Sequence, residues 1–392
     1  MAAPNSGDSL AVDVNSNVAL FCAIYLSIIG AAVFIVQPGF VQGLVEFYGF
    51  NEQQAGYIAS AEIWGLALTT VVLAFGGHNY SWQRIFRLSI ILFVLGNLAS
   101  TATDELYAFS VLRFITGLGS GGLVSRTFTI IGLTRLPDRN FGFLIMGVLT
   151  YGALGLWAFP AALALIGMKG IIIFFAIFGA SGWLCLSHVP DSGEEHLQVE
   201  EDAVDLGSTF RVLAILAMFT YFFAQGVIWA YLFLIGLNGG VDEQGVANGL
   251  MISQFLGIAG AFVAAMAGRR FGRAWPLAIG VLGGAAVLAA LFGEFTAAVY
   301  AVTVCVYNFA WNMTHPYLLG AMASFDRHGR VVVYAVAAQM LGLAVGPAFA
   351  ASLLGDGNYD RVIIAGMLLF ALSYVLILIP LIDHHKAIKR VA

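Results

Sequence analysis

Charge is what this chain has least of. Only 10% of its 392 residues are Asp, Glu, Lys or Arg, against 60% hydrophobic residues, where a water-soluble domain carries roughly 25% charged residues. That balance, with a mean hydropathy of +0.90, excludes a soluble protein with a large core. The 17 basic residues against 22 acidic ones leave no basic excess for nucleic acid. Cysteine is nearly absent too. Cys22, Cys185 and Cys305 are scattered through apolar runs. They have neither metal-ligand spacing nor a disulfide framework, and read as small buried hydrophobes. No ATP-binding motif, metal cluster or catalytic-triad spacing occurs, so no cofactor and no metal is expected. Gly117 to Gly122 are glycine-rich but lie in an apolar run with no preceding strand, which excludes a phosphate loop. Asn312-Met313-Thr314 matches a glycosylation sequon, but inside another apolar run. Met1 to Ser16 carry Asp8 and Asp13 but no Lys or Arg, so the basic n-region of a signal peptide is missing.

What the chain does have is glycine, 46 residues, which is commoner in membrane helices than in soluble ones, and long apolar runs. A bilayer crossing needs about 20 residues. Twelve runs qualify, at 18–43, 52–77, 84–103, 105–133, 140–166, 169–189, 208–238, 243–267, 274–293, 296–324, 329–354 and 359–383. They are too long and too evenly apolar for barrel strands, which leaves helices. With both termini taken as cytoplasmic, the inside loops hold Arg84, Arg87, Arg135, Arg139, Arg211, Arg269, Arg270, Arg273, Arg327 and Arg330, and the tail adds Lys386, Lys389 and Arg390. The outside loops hold only Lys169 and Arg361. This asymmetry places both termini inside, and the short loops suggest a bacterial inner membrane.

The resulting organisation is an N-terminal tail at 1–17, a six-helix bundle at 18–189, an acidic linker at 190–207, a second six-helix bundle at 208–383 and a C-terminal tail at 384–392. The linker carries Asp191, Glu194, Glu195, Glu200, Glu201, Asp202 and Asp205 and reads as solvated. The bundles show a weak repeat. Asn51-Glu52-Gln53 opens the second run and Asp242-Glu243-Gln244 the eighth, and Gly65 and Gly76 recur at the same offset as Gly257 and Gly268. Two similar six-helix halves suit a transporter that rocks about a site between them.

Twelve spans in two halves, a central linker and the fourth-run pattern Arg113, Gly117, Gly119, Gly121 resemble the major facilitator superfamily, whose fourth-span motif is approximately R-x-x-x-G-x-G-x-G. The resemblance implies an all-α integral membrane fold of twelve transmembrane helices in two pseudo-symmetric six-helix bundles. The superfamily's loop motif G-x-x-x-D-R-x-G-R is eroded here. Gly76 and Arg84 match it, but Tyr80 stands at the Asp position and Gln83 at the second Gly. The counterpart loop ends in Gly272-Arg273, with Arg269 at the Asp position. The fifth run has Pro160 but no Gly-Pro pair, and the eleventh has Gly346-Pro347. That tilts the resemblance away from proton/drug antiporters.

Ionisable residues inside a bilayer usually mark function. Glu62 lies about ten residues into the second run and Arg113 eight into the fourth, roughly 15 Å and 12 Å from the same side at 1.5 Å per residue. The resemblance makes these helices neighbours, so Glu62 and Arg113 are expected to face each other and couple to proton binding. Arg126, nearer the inner end, is a candidate for an anionic substrate group. In the tenth run Asn308, Asn312 and His315 share one face, beside Tyr307, Trp311 and the helix-breaking Pro316. In the seventh, Tyr221, Gln225 and Trp229 do the same. These faces are expected to bind substrate, with His315 also a second proton site. Gln37-Pro38, Gln254 and Gln339 are weaker candidates.

The expectation is a monomeric secondary transporter, not an enzyme. Its partners would be a small organic solute, protons and the lipid bilayer. Proton-coupled uptake of an organic anion, aromatic ones included, by alternating access is the first reading, and proton-coupled efflux of drugs or metabolites the alternative.

Overall fold

A computed structural model of the chain describes residues 12–76, 80–192, 202–268, 270–328, 330–354 and 358–391. Among them are thirteen α-helices and no strand. The first half contains α1 (Asn17–Ile35), α2 (Gln37–Tyr48), α3 (Glu52–Gly76), α4 (Trp82–Ser100), α5 (Leu106–Gly132) and α6 (Pro137–Ser181). The second contains α7 (Ser208–Trp229), α8 (Leu232–Asn238), α9 (Glu243–Ala267), α10 (Ala274–Val287), α11 (Ala297–Ser324), α12 (Arg330–Leu353) and α13 (Asp360–Val391). Polar caps start several of them. Ser16, Ser81, Glu105, Asp242 and Thr296 each accept backbone N–H bonds from the first turn that follows, satisfying groups the helix itself cannot.

Three breaks shape these helices. The run expected at 18–43 bends at Val36 into α1 and α2, and the run at 208–238 bends at Ala230–Tyr231 into α7 and α8. Inside α6, Gly167 has φ 63° and ψ 177°, a conformation that only glycine adopts without strain, and it separates the fifth and sixth crossings. Ten stretches are long and apolar enough to cross a membrane, and Arg139–His188 holds two crossings. That makes eleven. The twelfth is α11, whose polar Asn308, Asn312 and His315 keep it out of that set.

In the first half α3 and α4 flank α5, while α1 and α6 close the bundle; in the second α12 and α13 flank α7, while α9 and α10 pack on α11. The halves meet where α3 packs on α12, α6 on α9 and α2 on α8. Large apolar side chains such as Leu165, Leu184 and Ile279 point outward. A soluble protein would not expose a band of this kind, and a bilayer covers it. An even number of crossings puts both termini on one face, called here the terminal face; the other is the far face.

Two expectations about the loops change. The tail at 384–392 is not separate, because α13 continues to Val391, its late basic residues suiting the negative end of the helix dipole. The linker is docked where it is described, with Ala203 and Leu206 buried, while Asp191 and Asp205 stay exposed. Asp191 accepts from the Ser81 hydroxyl and, at 3.3 Å, from the Gln83 N–H. Asp202 pairs with Arg273 at 3.1 Å, and the Val204 and Leu206 N–H groups donate to the carbonyls of Ser324 and Phe325. Glu194, Glu195, Glu200, Glu201 and Arg269 lie outside the described residues.

Beside this docked segment, Asp326 takes the N–H groups of His328, Arg330 and Val331 at the start of α12. Burial pushes its carboxyl up, but those bonds and the His328 ring outweigh burial and hold it below the usual carboxylate range. A depressed native value makes the contribution complete above the ordinary Asp value of about 3.9 and lost as pH falls through the native one. Asp326→Asn is expected to cost about 1 kcal/mol at neutral pH, because an amide offers one neutral acceptor oxygen where the carboxylate offers two charged ones. Thermal unfolding in detergent should show the difference between wild type and variant shrinking as pH falls below the ordinary Asp value, and a difference that does not shrink with acid would refute the assignment.

Candidate functional site

The most buried charge among the described residues is held by three helices. Gly117 and Gly121 on α5 carry no side chain toward α3, where a Cβ would overlap the carbonyl oxygens of Glu62 and Leu66; Gly119 and Gly122 do the same toward α4 at Ser89. Such glycines let helix backbones touch. The approach brings Arg113 onto Glu62 from α3 and Asn97 from α4. The Arg113 Nη2 and Nε donate to the two Glu62 oxygens at 2.6 and 3.1 Å, and Nη1 donates to Asn97 Oδ1 at 2.9 Å. Arg113 has no exposed surface and Glu62 only 7%. The guanidinium also lies 5.1 Å from the Phe40 ring centroid. A two-pronged carboxylate–guanidinium pair is the strong geometry for these groups.

Glu62 opens on a narrow crevice lined by Phe34, Gln37, Phe40, Ala59 and Ser120. Among the described residues, the buried Gln37 Oε1 has no partner. The crevice lies at the α1–α2 break, whose cause is Pro38. A continuous helix would send the N–H of residue 38 to the carbonyl of residue 34, and proline has no N–H. The freed Phe34 carbonyl is taken instead by the indole N–H of Trp229 at 3.0 Å, from the end of α7 in the other half. Tyr231 makes a second bond across the halves, donating to the Glu52 carbonyl at 2.9 Å. Trp229→Phe keeps the ring and removes its donor, at a cost of about 1 kcal/mol. Spin labels at Asn51→Cys and Asn358→Cys, on the far-face ends of α3 and α13, should then report about fivefold more of the separated form, and an unchanged distance distribution would refute the role.

In the second half, the face expected to be shared by Asn308, Asn312 and His315 divides between neighbours. Asn308 donates to Ser253 on α9 at 3.2 Å, and Asn312 donates back to Asn308 at 2.8 Å, over Gly257. His315 turns to Gln339 on α12 at 3.0 Å, with its ring edge-on to Phe222. Gln225 accepts from the Tyr307 hydroxyl, and Tyr221 packs against Phe370. Trp229 meets Trp311 edge to face, 5.7 Å between centroids. Tyr221, Gln225, Trp229 and Asn308 are buried, while Trp311, Asn312 and His315 are partly exposed. Gln254 is buried on α9 near Gly152 of α6, and its Oε1 has no partner among the described residues.

Arg126 does not join this group. Its Nη2 donates to the Leu73 carbonyl at 3.0 Å, and its guanidinium lies over Trp82. It caps the C-terminal end of α3, where orphan carbonyls and the helix dipole favour a cation. The expectation of an anionic substrate rested on Arg113 and Arg126, and in this structure protein groups hold both.

A family model described as the Major Facilitator Superfamily matches residues 22–347. The chain belongs to that superfamily. Curated proteins similar to it include one assigned as the niacin/nicotinamide transporter NiaP of Bacillus subtilis (strain 168). It is 20% identical over 143 residues, which are 33% of this chain and 35% of that protein. Another is the efflux pump radE of Floropilus chiversii, 31% identical over 104 residues, 26% of this chain and 19% of that one. The alignments thus span about a third and a fifth of those relatives. Among solved structures, a D-xylose-proton symporter matches with TM-score 0.75 at 15% identity, over 92% of this chain and 96% of that one. The MFS transporter FucP in an outward conformation matches with TM-score 0.60 at 16% identity, over 94% and 99%. At these identities the likeness is one of fold. Membership makes the chain a multi-pass membrane transporter rather than an enzyme.

The superfamily loop residues fall on the terminal face. Gly76 ends α3 in open space, and Arg84 is exposed on the first turn of α4. Gly272, at φ 67°, turns the chain so that Arg273 reaches Asp202. Both loops that lack the motif aspartate therefore meet a linker carboxylate, Asp191 at Ser81–Gln83 and Asp202 at Arg273. Gly346 lets α12 touch α7 at Gly226, with Pro347 beside it. Sequence reading missed Asn97, although an Asn in the middle of an apolar run is itself a signal. It also missed Ser253, which nothing in its own helix marks out.

Proposed function

We propose that this superfamily member moves a small organic solute by alternating access, coupled to protons, with Glu62 as the proton site. The observation that carries this reading is the buried Glu62–Arg113 pair opening on a crevice inside the first half, at the α1–α2 break that Trp229 of the second half meets. An ion pair loses its value when one partner is neutralised. Protonation of Glu62 would therefore release Arg113, and return of the guanidinium to the carboxyl as the halves rock would drive the proton off. His315, bonded to Gln339, is a second candidate proton site. The side chains at the seam between the halves are neutral, the Gln254 amide near Gly152 and the Trp229 indole on the Phe34 carbonyl with Trp311 against it, and Gln37 and Asn312 add neutral amides inside the first and second halves. They suit a neutral, hydrogen-bonding, aromatic or hydroxylated solute better than an anion, with Tyr221, Gln225 and Asn308 supporting them from behind. The charge asymmetry of the loops orients both termini to the cytoplasm, in a bacterial inner membrane, and the transporter acts as a monomer with the two bundles divided by the 190–207 linker.

Energised membrane vesicles containing the protein test the proposal, with pools of sugars, amides, aromatics and organic acids added in turn. One pool is expected to drive proton entry in wild type and not in Glu62→Gln. Equal proton entry in the variant would refute Glu62 coupling. Efflux is the second reading, favoured by the stretch shared with the pump radE. Proton release from loaded vesicles together with drug resistance in cells would select it.

A further inference from the structure

We propose a binding site for an anionic phospholipid on the terminal face, in the groove between α10 and α13. The argument begins with length. α13 spans 32 residues, about 48 Å at 1.5 Å per residue, against a hydrocarbon core of about 30 Å. Its last turns therefore stand in the headgroup zone and carry the exposed His385, Lys386 and Lys389. Opposite them the chain turns at Gly272 and presents Phe271 and Trp275, 68% and 72% exposed, at the level where interfacial aromatics anchor membrane proteins.

Between the two elements lies a groove of about 560 Å³. Trp275, Leu378, Leu381 and Ile382 make its floor, and Arg273, His385 and Lys386 its rim. Asp202 also lies at the rim and holds Arg273 at 3.1 Å, so Lys386 is the cation presented to a ligand. Beyond the Phe271–Trp275 corner a second groove of about 610 Å³ has Arg270 at its edge and Val263, Pro276 and Ile279 as its wall. Ile279 and Ile382 are exposed on the outer surface of the bundle, so the floor faces the bilayer and not the path between the halves. A water-soluble solute has no route onto such a floor. An acyl chain of the surrounding bilayer would reach it directly, and a basic rim would select which headgroup comes with it. The match of apolar floor, aromatic lip and lysine rim assigns an anionic phosphate headgroup with its acyl chain on Trp275.

The test is native mass spectrometry of the full-length protein released from nanodiscs containing equal phosphatidylglycerol and phosphatidylcholine with identical acyl chains. Wild type should retain phosphatidylglycerol about fivefold over phosphatidylcholine, the ratio set by one basic residue near an anionic group. Lys386→Gln should bring that ratio near one, Trp275→Ala should reduce both lipids together, and Lys169→Gln on the far face should behave as wild type. Equal retention by the wild type, or a preference that survives Lys386→Gln, would overturn the site. A folded Trp275→Ala protein that retains both lipids as wild type does would overturn the groove as its location.

Discussion

Arg113→Met is expected to destabilise the protein by about 3–5 kcal/mol, the usual cost of breaking a buried pair from one side. The guanidinium satisfies both oxygens of Glu62 and one of Asn97. Its loss leaves a carboxylate in a site with almost no water access, where an unpaired charge is at its most expensive. The carboxyl escapes part of this cost by taking up a proton, so the loss should be larger at pH 8 than at pH 5. Glu62→Met combined with Arg113→Met should recover most of the stability, because a well-packed apolar pair often does as well as the ion pair it replaces. The double variant should remain inactive in proton-coupled transport. Thermal unfolding in detergent across pH reads all three proteins. A double variant as unstable as Arg113→Met would show that the pair is a packing element and not a compensated charge.

The second large effect is expected at Gly117. Alanine is favoured over glycine inside a helix by about 1 kcal/mol, so Gly117→Ala would stabilise an isolated α5. In the folded protein its Cβ would overlap the Glu62 carbonyl oxygen, and the Leu66 N–H would lie 3.0 Å away. These are backbone atoms of a packed helix and cannot rotate aside. The helices must separate, at a net cost of about 1–3 kcal/mol, and the separation pulls Glu62 off Arg113. Transport should fall along with stability. Gly132→Ala is the control, since nothing lies within 4 Å of a Cβ there, and it should be neutral or stabilising. If Gly117→Ala melts with wild type and transports normally, the close approach of α3 and α5 is not what seats the pair.

The helical crossings were legible because a bilayer imposes a length and an apolar composition on each. The breaks inside them were less so. The break at Gly167 falls in the gap between the runs at 140–166 and 169–189, but the bends at Val36 and Ala230–Tyr231 lie inside single apolar runs that hydropathy cannot divide. The pairing of Glu62 with Arg113 was within reach of the sequence, since counting residues put both at one depth and the family resemblance implied that their helices are neighbours. The fate of Arg126 was not, because its partner is the Leu73 carbonyl, and every residue has a carbonyl. Trp229 makes the same point. Pro38 announces that some carbonyl is left free, but which donor fills it, 195 residues away in sequence, depends on where α7 ends against α1.

The division of Asn308, Asn312 and His315 has the same origin. Helical periodicity places them on one face of α11, but side chains on one face still choose among the helices that flank it, and α9 offers Ser253 while α12 offers Gln339. The sequence by itself determined what the solvent enforces along a single helix: the membrane class, the crossings, the depth of each buried charge and the charge of each loop. Tertiary structure alone decided what depends on contact between helices. It sent Arg113 to a carboxylate and Arg126 to a backbone carbonyl, and docked Asp191 and Asp202 of the linker on the two loops. Hydrophobicity and periodicity act locally along the chain, whereas a hydrogen bond is settled only when two distant segments stand about 3 Å apart.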